Sequence, residues 1–284
     1  MKTSATFIAS ALLLFNVALV DGATLAEEDF ESYTAGSQVH GLNGGAGFTS
    51  AWNVPSAARR PEFTIVNGGL NYSGGSLVVN GGNRAAQYLA TEGGIAILAG
   101  RDLPAQSGAI YLSFLYSQSN EIGDDDFMQF GFDTSATSPR VSALDRNGEF
   151  QVRSTTSAGN SVGSGVSSDA GDTYFVVLKA DKTGASVTYN DLMLWVDPLS
   201  SDEGANPALA VSTVDSGLDL SGAAAFAIRK AFQESGDTFL IDQIRIGQTF
   251  ADVTANVPEP ASIAIWAVIG FAAIGIRYGV RRVK

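Results

Sequence analysis

Ala109–Ser117 (AIYLSFLYS) and Phe127–Asp133 (FMQFGFD) decide the fold. In the first, Ile110, Leu112, Phe114 and Tyr116 share one face; in the second, Met128, Phe130 and Phe132 do. Alternate residues of a strand point to the same side, so this period of two predicts strands with one face in a core. Thr173–Ala180 (TYFVVLKA) is apolar on both faces. Working outward, the same reading marks Glu62–Val66, Ser76–Asn80, Arg84–Leu89, Arg140–Leu144, Phe150–Ser154, Ala185–Tyr189, Met193–Asp197, Ala223–Lys230 and Phe239–Ile246, about a dozen strands in all. Gly93–Gly100 (GGIAILAG) suits a strand or a short helix, and no other segment of the middle of the chain has a helical period.

Four Asn-Gly steps punctuate these segments: Asn43-Gly44, Asn67-Gly68, Asn80-Gly81 and Asn147-Gly148. Both residue types tolerate positive φ, which a two-residue type I′ turn requires, so Leu144–Gln151 (LDRNGEFQ) predicts a tight hairpin. Val-Asn-Gly-Gly occurs at Val66–Gly69 and again at Val79–Gly82, without a third copy, which is shared turn chemistry and not a repeat architecture. Many short strands, 32 glycines and no helices argue for stacked antiparallel sheets.

The two ends of the chain differ from this middle. Lys2 precedes an apolar run from Ala5 to Val20, followed by small residues, the order of a secretory signal peptide, with cleavage expected after Gly22 or Ala26. At the other end, Val257-Pro258-Glu259-Pro260 is a rigid extended tetrapeptide, Ala261–Ile276 is uncharged, and Arg277, Arg281, Arg282 and Lys284 form a basic terminus. Those sixteen residues span about 24 Å as a helix, so an expected transmembrane helix over residues 261–280 crosses a bilayer only with help from Tyr278, Val280 and a snorkelling Arg277. The basic residues place this end in the cytoplasm. The expected organisation is a signal peptide at 1–22, one β-sandwich at 23–256 and a C-terminal signal at 257–284.

From Glu27 to Asp252 there are 27 acidic and 12 basic residues, a charge of −15 against −12 for the whole chain. Such a field repels nucleic acid and suits divalent cations. The absence of cysteine excludes disulfides, thiolate metal sites and cysteine nucleophiles. A single histidine, His40, in the Gly-rich stretch Ser37–Gly47, excludes HExxH zinc sites, which need two, and is expected at an exposed loop position rather than in a Ser-His-Asp triad.

Pro-Glu-Pro, an apolar helix and an Arg-rich terminus in succession resemble the PEP-CTERM sorting signal of exopolysaccharide-producing Gram-negative bacteria, over the last twenty-eight residues. The resemblance implies recognition by a membrane exosortase-like transpeptidase, removal of the helix near Val257, Pro258, Glu259 and Pro260, and delivery to the cell surface or extracellular matrix. Glu28–Trp52 (EDFESYTAGSQVHGLNGGAGFTSAW) resembles the opening of concanavalin A-like, laminin-G-like jelly rolls of exported bacterial proteins. Phe239–Val253 (FLIDQIRIGQTFADV) is similar to their last strand, and the resemblance implies that these two segments pair as neighbours in an all-β jelly-roll β-sandwich.

Candidate chemistry is sparse. Glu27, Asp29 and Glu31 have the Glu-x-Asp-x-Glu spacing of jelly-roll glycoside hydrolases, but Glu28 breaks the apolar alternation between them, and a solvated first strand is the plainer expectation. Asp124, Asp125 and Asp126, with Glu121 or Asp202-Glu203, could supply oxygens to calcium, or simply form a charged strand end. Trp52 and Tyr72, near turns, are the aromatics expected to stack on sugars, whereas Trp195 in Leu192–Val196 is expected in the core. Arg59-Arg60 reads as a loop. These observations point to an exported, non-enzymatic surface or matrix protein that binds carbohydrate or protein, the alternatives being a polysaccharide-acting hydrolase or a calcium-dependent lectin on the same fold.

Overall fold

The computed structural model describes residues 24–91, 96–123, 126–136, 138–155 and 158–255. In chain order the strands are β1 (Ala26–Glu28), β2 (Phe63–Asn67), β3 (Asn71–Gly74), β4 (Leu77–Asn80), β5 (Arg84–Leu89), β6 (Ile97–Leu103), β7 (Ile110–Gln118) and β8 (Phe127–Asp133). There follow β9 (Val141–Arg146), β10 (Glu149–Ser154), β11 (Ser161–Ser167), β12 (Thr173–Asp181), β13 (Asp191–Val196), β14 (Ala210–Ser212), β15 (Ala224–Ala231), β16 (Thr238–Gly247) and one short helix, α1 (Phe250–Thr254).

Eight strands form one sheet, in the order β14-β13-β12-β7-β16-β5-β2 with β1 also on β16. Six form a second, in the order β11-β10-β9-β8-β15-β6, and β3 and β4 pair as a separate hairpin. The chain crosses between the two sheets at β5–β6, β6–β7, β7–β8, β11–β12, β14–β15 and β15–β16, which makes the expected antiparallel jelly-roll sandwich. The two stretches that decide the fold close on each other: Phe114 of β7 and Phe130 of β8 have ring centroids 4.2 Å apart. The Asn147-Gly148 hairpin is as expected, with φ of 54° and 69°, the type I′ signs.

Strand β7 is buried on both faces. Its outward Tyr111 and Leu115 enter a second, smaller core with Tyr72, Phe175, Trp195 and Phe250. The hairpin β3–β4 and α1 therefore lie over the outer side of the eight-stranded sheet. Helix α1 is held by a reciprocal cap between Thr249 and Asp252 and by Ser113 Oγ donating to the Val253 carbonyl at 2.7 Å. Five residues are too few to show a helical period, so the helix left no pattern in the sequence.

Several expectations need correction. Ala185–Tyr189 is a loop: Ser186 Oγ donates to the Thr188 carbonyl at 2.8 Å, and Thr188 Oγ1 donates to Asp215 at 2.6 Å, so local side-chain bonds replace a ladder. Glu62 ends a 3-10 turn over Ala57–Glu62, which also holds Arg59 and Arg60. The two Val-Asn-Gly-Gly stretches are spatial neighbours, since a Cβ on Gly69 would strike the Gly81 carbonyl. Strands β3, β11 and β14, which the alternation rule did not mark, are short or polar and are fixed by backbone pairing.

The opening and closing segments pair as the resemblance implies, Ala26 opposite Ile246 and Glu28 opposite Ile244. Between the part of β16 that pairs with β5 and the part that pairs with β1 lies a bulge, with Gln243 at φ 48°. Asp242, at this bulge, is buried. One oxygen accepts from Leu70 N at 2.9 Å and the other from Gln243 N at 2.7 Å. Gly81 fits beside it because a Cβ there would collide with the carboxylate.

Burial pushes the Asp242 carboxyl up to about 8, and the charges of Glu31 and Asp29 add to the shift. The folded state then holds a proton that the unfolded chain releases near its ordinary carboxyl range, so this residue's contribution to stability is complete below about pH 4 and is lost as pH rises through about 8. We predict that the melting temperature of the native protein falls between pH 5 and pH 8.5 at constant ionic strength, and that Asp242→Asn flattens this slope. An unchanged slope in the variant refutes the assignment.

Candidate functional site

Trp52 is buried, 1% exposed, and cannot offer a ring face to a sugar. It packs between Phe30, Phe63 and Phe226, with centroids 6.0–6.2 Å away. Its indole Nε1 donates to Glu28 Oε2 at 3.1 Å. That carboxylate, 0% exposed, also accepts from Tyr33 Oη at 2.8 Å, from Phe30 N at 3.2 Å and from Arg101 Nη1 at 2.8 Å. Arg101 is spent in turn on the Ser50 and Gly44 carbonyls and Asn43 Oδ1, and lies 4.2 Å over the Phe48 ring. Every polar group here is matched within the protein, so the cluster is a lock and not a binding site.

Tyr72 is also in a core, its hydroxyl donating to the Pro198 carbonyl at 2.9 Å and its ring against Phe175 at 5.4 Å. The residue Glu28, whose position disturbed the hydrolase-like pattern, is the inward one, while Glu27, Asp29 and Glu31 are exposed. β1 ends at Glu28 and Phe30 turns at φ 59° between Asp29 and Glu31, so the three carboxylates do not share one regular strand face. Glu31 instead accepts from Asn83 N and Arg84 N at 2.6 Å. His40 is half-buried and its Nδ1 accepts from Val54 N at 3.1 Å, not an exposed loop position. Trp195 is in the core as expected, its Nε1 donating to the Asn206 carbonyl at 2.8 Å.

Of the calcium candidates, Asp124 and Asp125 lie outside the described residues. Asp126 is buried, and burial together with the charges of Asp237 and Glu234 raises its carboxyl pKa. Asp202 caps a 3-10 turn through Gly204 N, and Glu203 accepts from Tyr111 Oη and Lys179 Nζ. Among the described residues no three His, Asp or Glu side chains are arranged to hold a metal. Val257, Pro258, Glu259 and Pro260, the basic Arg277, Arg281, Arg282 and Lys284, and the signal peptide at 1–22 lie outside the described residues. Among those described, no helix is long and apolar enough to cross a membrane.

A buried amine sits between the sheets. Lys230 of β15 points inward beside Phe63, Tyr88, Ala99, Met128 and Ile228, lining a pocket of about 10 Å³, room for one water. Its Nζ has no hydrogen-bond partner and lies 4.9 Å over the Tyr88 ring; burial lowers its pKa. The space is too small for a sugar.

The outer face of the six-stranded sheet is different. Met128 and Ile228 point into the sandwich, so alternation sends Phe127, Gln129 and Arg229 outward, and Val152 does the same for Arg153. Arg229 lies 4.7 Å and Arg153 5.5 Å over the Phe127 ring. Arg153 Nε donates to Ser161 Oγ at 2.9 Å. Neither arginine forms an ion pair with a described carboxylate. Burial, then the neighbouring charges of Arg146 and Arg229, bring Arg153 down to about 10. Gln129, cross-strand from Arg229, donates to the Pro139 carbonyl and Ser142 Oγ, but its buried Oε1 has no partner. At the rim, Phe232 stands at φ 68° with its side chain exposed and its ring 6.3 Å from that of Phe127. No pattern along the chain announces this group, because its members come from β8, β10, β15 and the residue after β15.

The buried pair fixes a first prediction for this region. Arg101→Met leaves the Glu28 charge without its cationic partner and should lower the unfolding free energy by about 3–5 kcal/mol in urea titration. The double variant with Glu28→Gln should recover part of that loss, and strict additivity of the two substitutions refutes the coupling.

No family model matches the sequence, and no curated protein matches it. Among solved structures, the chain is similar to the cellulose induced protein Cip1, at 13% identity and TM-score 0.46, covering 78% of this chain and 97% of that one. It is similar to the metal-free carbohydrate recognition domain of Emp46p, at 9% identity and TM-score 0.40, covering 66% and 88%. A third is a structure of botulinum neurotoxin type C, reported with its interaction with two ganglioside molecules, at 11% identity and TM-score 0.44, covering 81% of this chain. The chain spans about half the length of that toxin chain, 48%. These likenesses are distant, and they assign no ligand to this chain.

Proposed function

We propose that the chain is an exported, non-enzymatic carbohydrate-binding sandwich whose ligand lies on the outer face of the six-stranded sheet. The observation that carries this reading is Phe232. A bulky residue at φ 68° strains the backbone, and a phenyl ring 51% exposed forgoes burial. Both costs are removed from the puzzle if the ring serves as a platform for a sugar, whose C–H face stacks on aromatic rings. Arg229, over the same Phe127 ring that Phe232 contacts, is a polar group able to orient hydroxyls.

The non-enzymatic part rests on the residue inventory. There is no cysteine, the one histidine is engaged by the backbone, and Glu27, Asp29 and Glu31 are separated by a kink. The exported part rests on the sequence of the two ends, the signal peptide at 1–22 and the Pro-Glu-Pro, apolar and basic stretches of 257–284. In this reading the C-terminal stretch is a disposable address for an exosortase-like enzyme, and the sandwich is its cargo, destined for the cell surface or matrix of a Gram-negative bacterium.

A glycan array probed with the full-length chain in detergent tests the binding. Retention of at least one glycan is expected, with Phe232→Ala weakening it about tenfold, or about 1.4 kcal/mol, at an unchanged melting temperature. Binding that is indifferent to Phe232 would place the ligand elsewhere, and an array without retained glycans would end the proposal. The sorting part has a separate test: Pro258→Ala with Pro260→Ala should leave uncleaved chain in the membrane fraction of the producing cells, and normal release would refute it.

A further inference from the structure

Resting on the carbohydrate-binding reading, we propose that the glycan held on this face is acidic, with a carboxylate or sulfate ester that seats against Arg229, which shares the Phe127 ring with Arg153. The argument starts from a charge imbalance. The middle of the chain carries 27 acidic residues to 12 basic ones, so a random arginine is far more apt to meet a carboxylate than another arginine. Several arginines of the structure obey that expectation, Arg59 pairing with Glu62, Arg101 with Glu28 and Arg140 with Asp133, while Arg60, Arg84 and Arg245 donate to backbone carbonyls. Arg153 and Arg229 do the opposite. They converge on a single phenyl ring, and neither has an ion-pair partner among the described residues.

That arrangement is costly without a ligand. Arg153 is only 3% exposed, and a buried guanidinium with like charges for neighbours lacks the solvation and the counter-charge that make burial tolerable. An oxyanion delivered from outside supplies the counter-charge. Arg229 is half-buried at the surface and makes the contact, through the planar fork that matches a carboxylate or sulfate in two hydrogen bonds. Arg153, more deeply buried over the same Phe127 ring, acts through the field it adds. Phe232 then stacks the ring.

The net negative charge of the rest of the protein does not forbid such a ligand. At physiological salt its repulsion is screened beyond about 8 Å, so an acidic group seated on Arg229 feels the adjacent arginines more than the distant carboxylates. Arginine here selects a chemical group, one acidic sugar at a time.

Three matched pairs of probes test this with the full-length chain in detergent by titration calorimetry: polygalacturonate against its carboxyl-reduced form, alginate against its carboxyl-reduced form, and dextran sulfate against dextran. In at least one pair the charged member should bind at least tenfold more tightly, and the pair in which it does so assigns carboxylate or sulfate. Arg229→Gln should abolish that preference at an unchanged melting temperature, and Arg229→Lys, which keeps the charge without the fork, should restore it in part. If the charged and neutral members bind alike in all three pairs, or the preference survives Arg229→Gln in a folded variant, the inference is overturned while glycan binding stands. If no probe binds and the array is blank as well, both readings fall together.

Discussion

A carboxylate that no water reaches organises one end of this sandwich. Glu28 is fully buried, and an ion of that kind is tolerable only if its oxygens are matched by donors held in place. The donors come from far along the chain, Tyr33 and Trp52 from the loops after β1 and Arg101 from β6. Meeting them forces Phe30 to positive φ and draws the glycine-rich segment of residues 41–50 against the sheet edges, where Arg101 also takes the Gly44 and Ser50 carbonyls. Hydrophobic burial then follows the electrostatic demand, because the same turn of chain seats Trp52 between Phe30, Phe63 and Phe226. A region with little ladder hydrogen bonding thus becomes as well determined as the strands it joins.

The two outer faces of the sandwich have been used in opposite ways. On the eight-stranded sheet, Tyr111, Leu115 and Phe175 are apolar, and the chain covers them itself with a hairpin and a helix. On the six-stranded sheet the outward residues include two arginines and a glutamine gathered about one phenyl ring. One face is closed by packing and the other keeps a chemistry that the described residues do not satisfy. That contrast matters more for function than the fold, which by itself fixes no activity.

Much of the sandwich was legible in the sequence, and the reason is local. Strands β5 and β8 fall where the alternation of Arg84–Leu89 and Phe127–Asp133 puts them, and the Asn147-Gly148 turn follows from the φ both residues accept. Edge strands such as Ser161–Ser167 carry no apolar period, because only their backbones are recruited, by β10. The candidate site was illegible for a different reason. Trp52 and Tyr72 were singled out as aromatics near turns, but exposure of a ring is decided by what packs on it, and Glu28 and Phe175 claim those two. Phe232 follows an alanine-rich strand and shows nothing by itself; its meaning comes from Phe127, more than a hundred residues earlier.

The pairing of β1 with β16 also settles how the domain answers to force. Ala26 lies opposite Ile246, and the next residue out, Leu25, donates from its N to the Ile246 carbonyl at 2.7 Å, so the two ends of the described sandwich leave the ladder at the same place and on the same side. A pull on both ends opens that seam one rung after another like a zipper, instead of shearing all its rungs at once. The three residues of β1 would therefore part at low tension, and the Glu28 cluster immediately behind them would be the first element to resist.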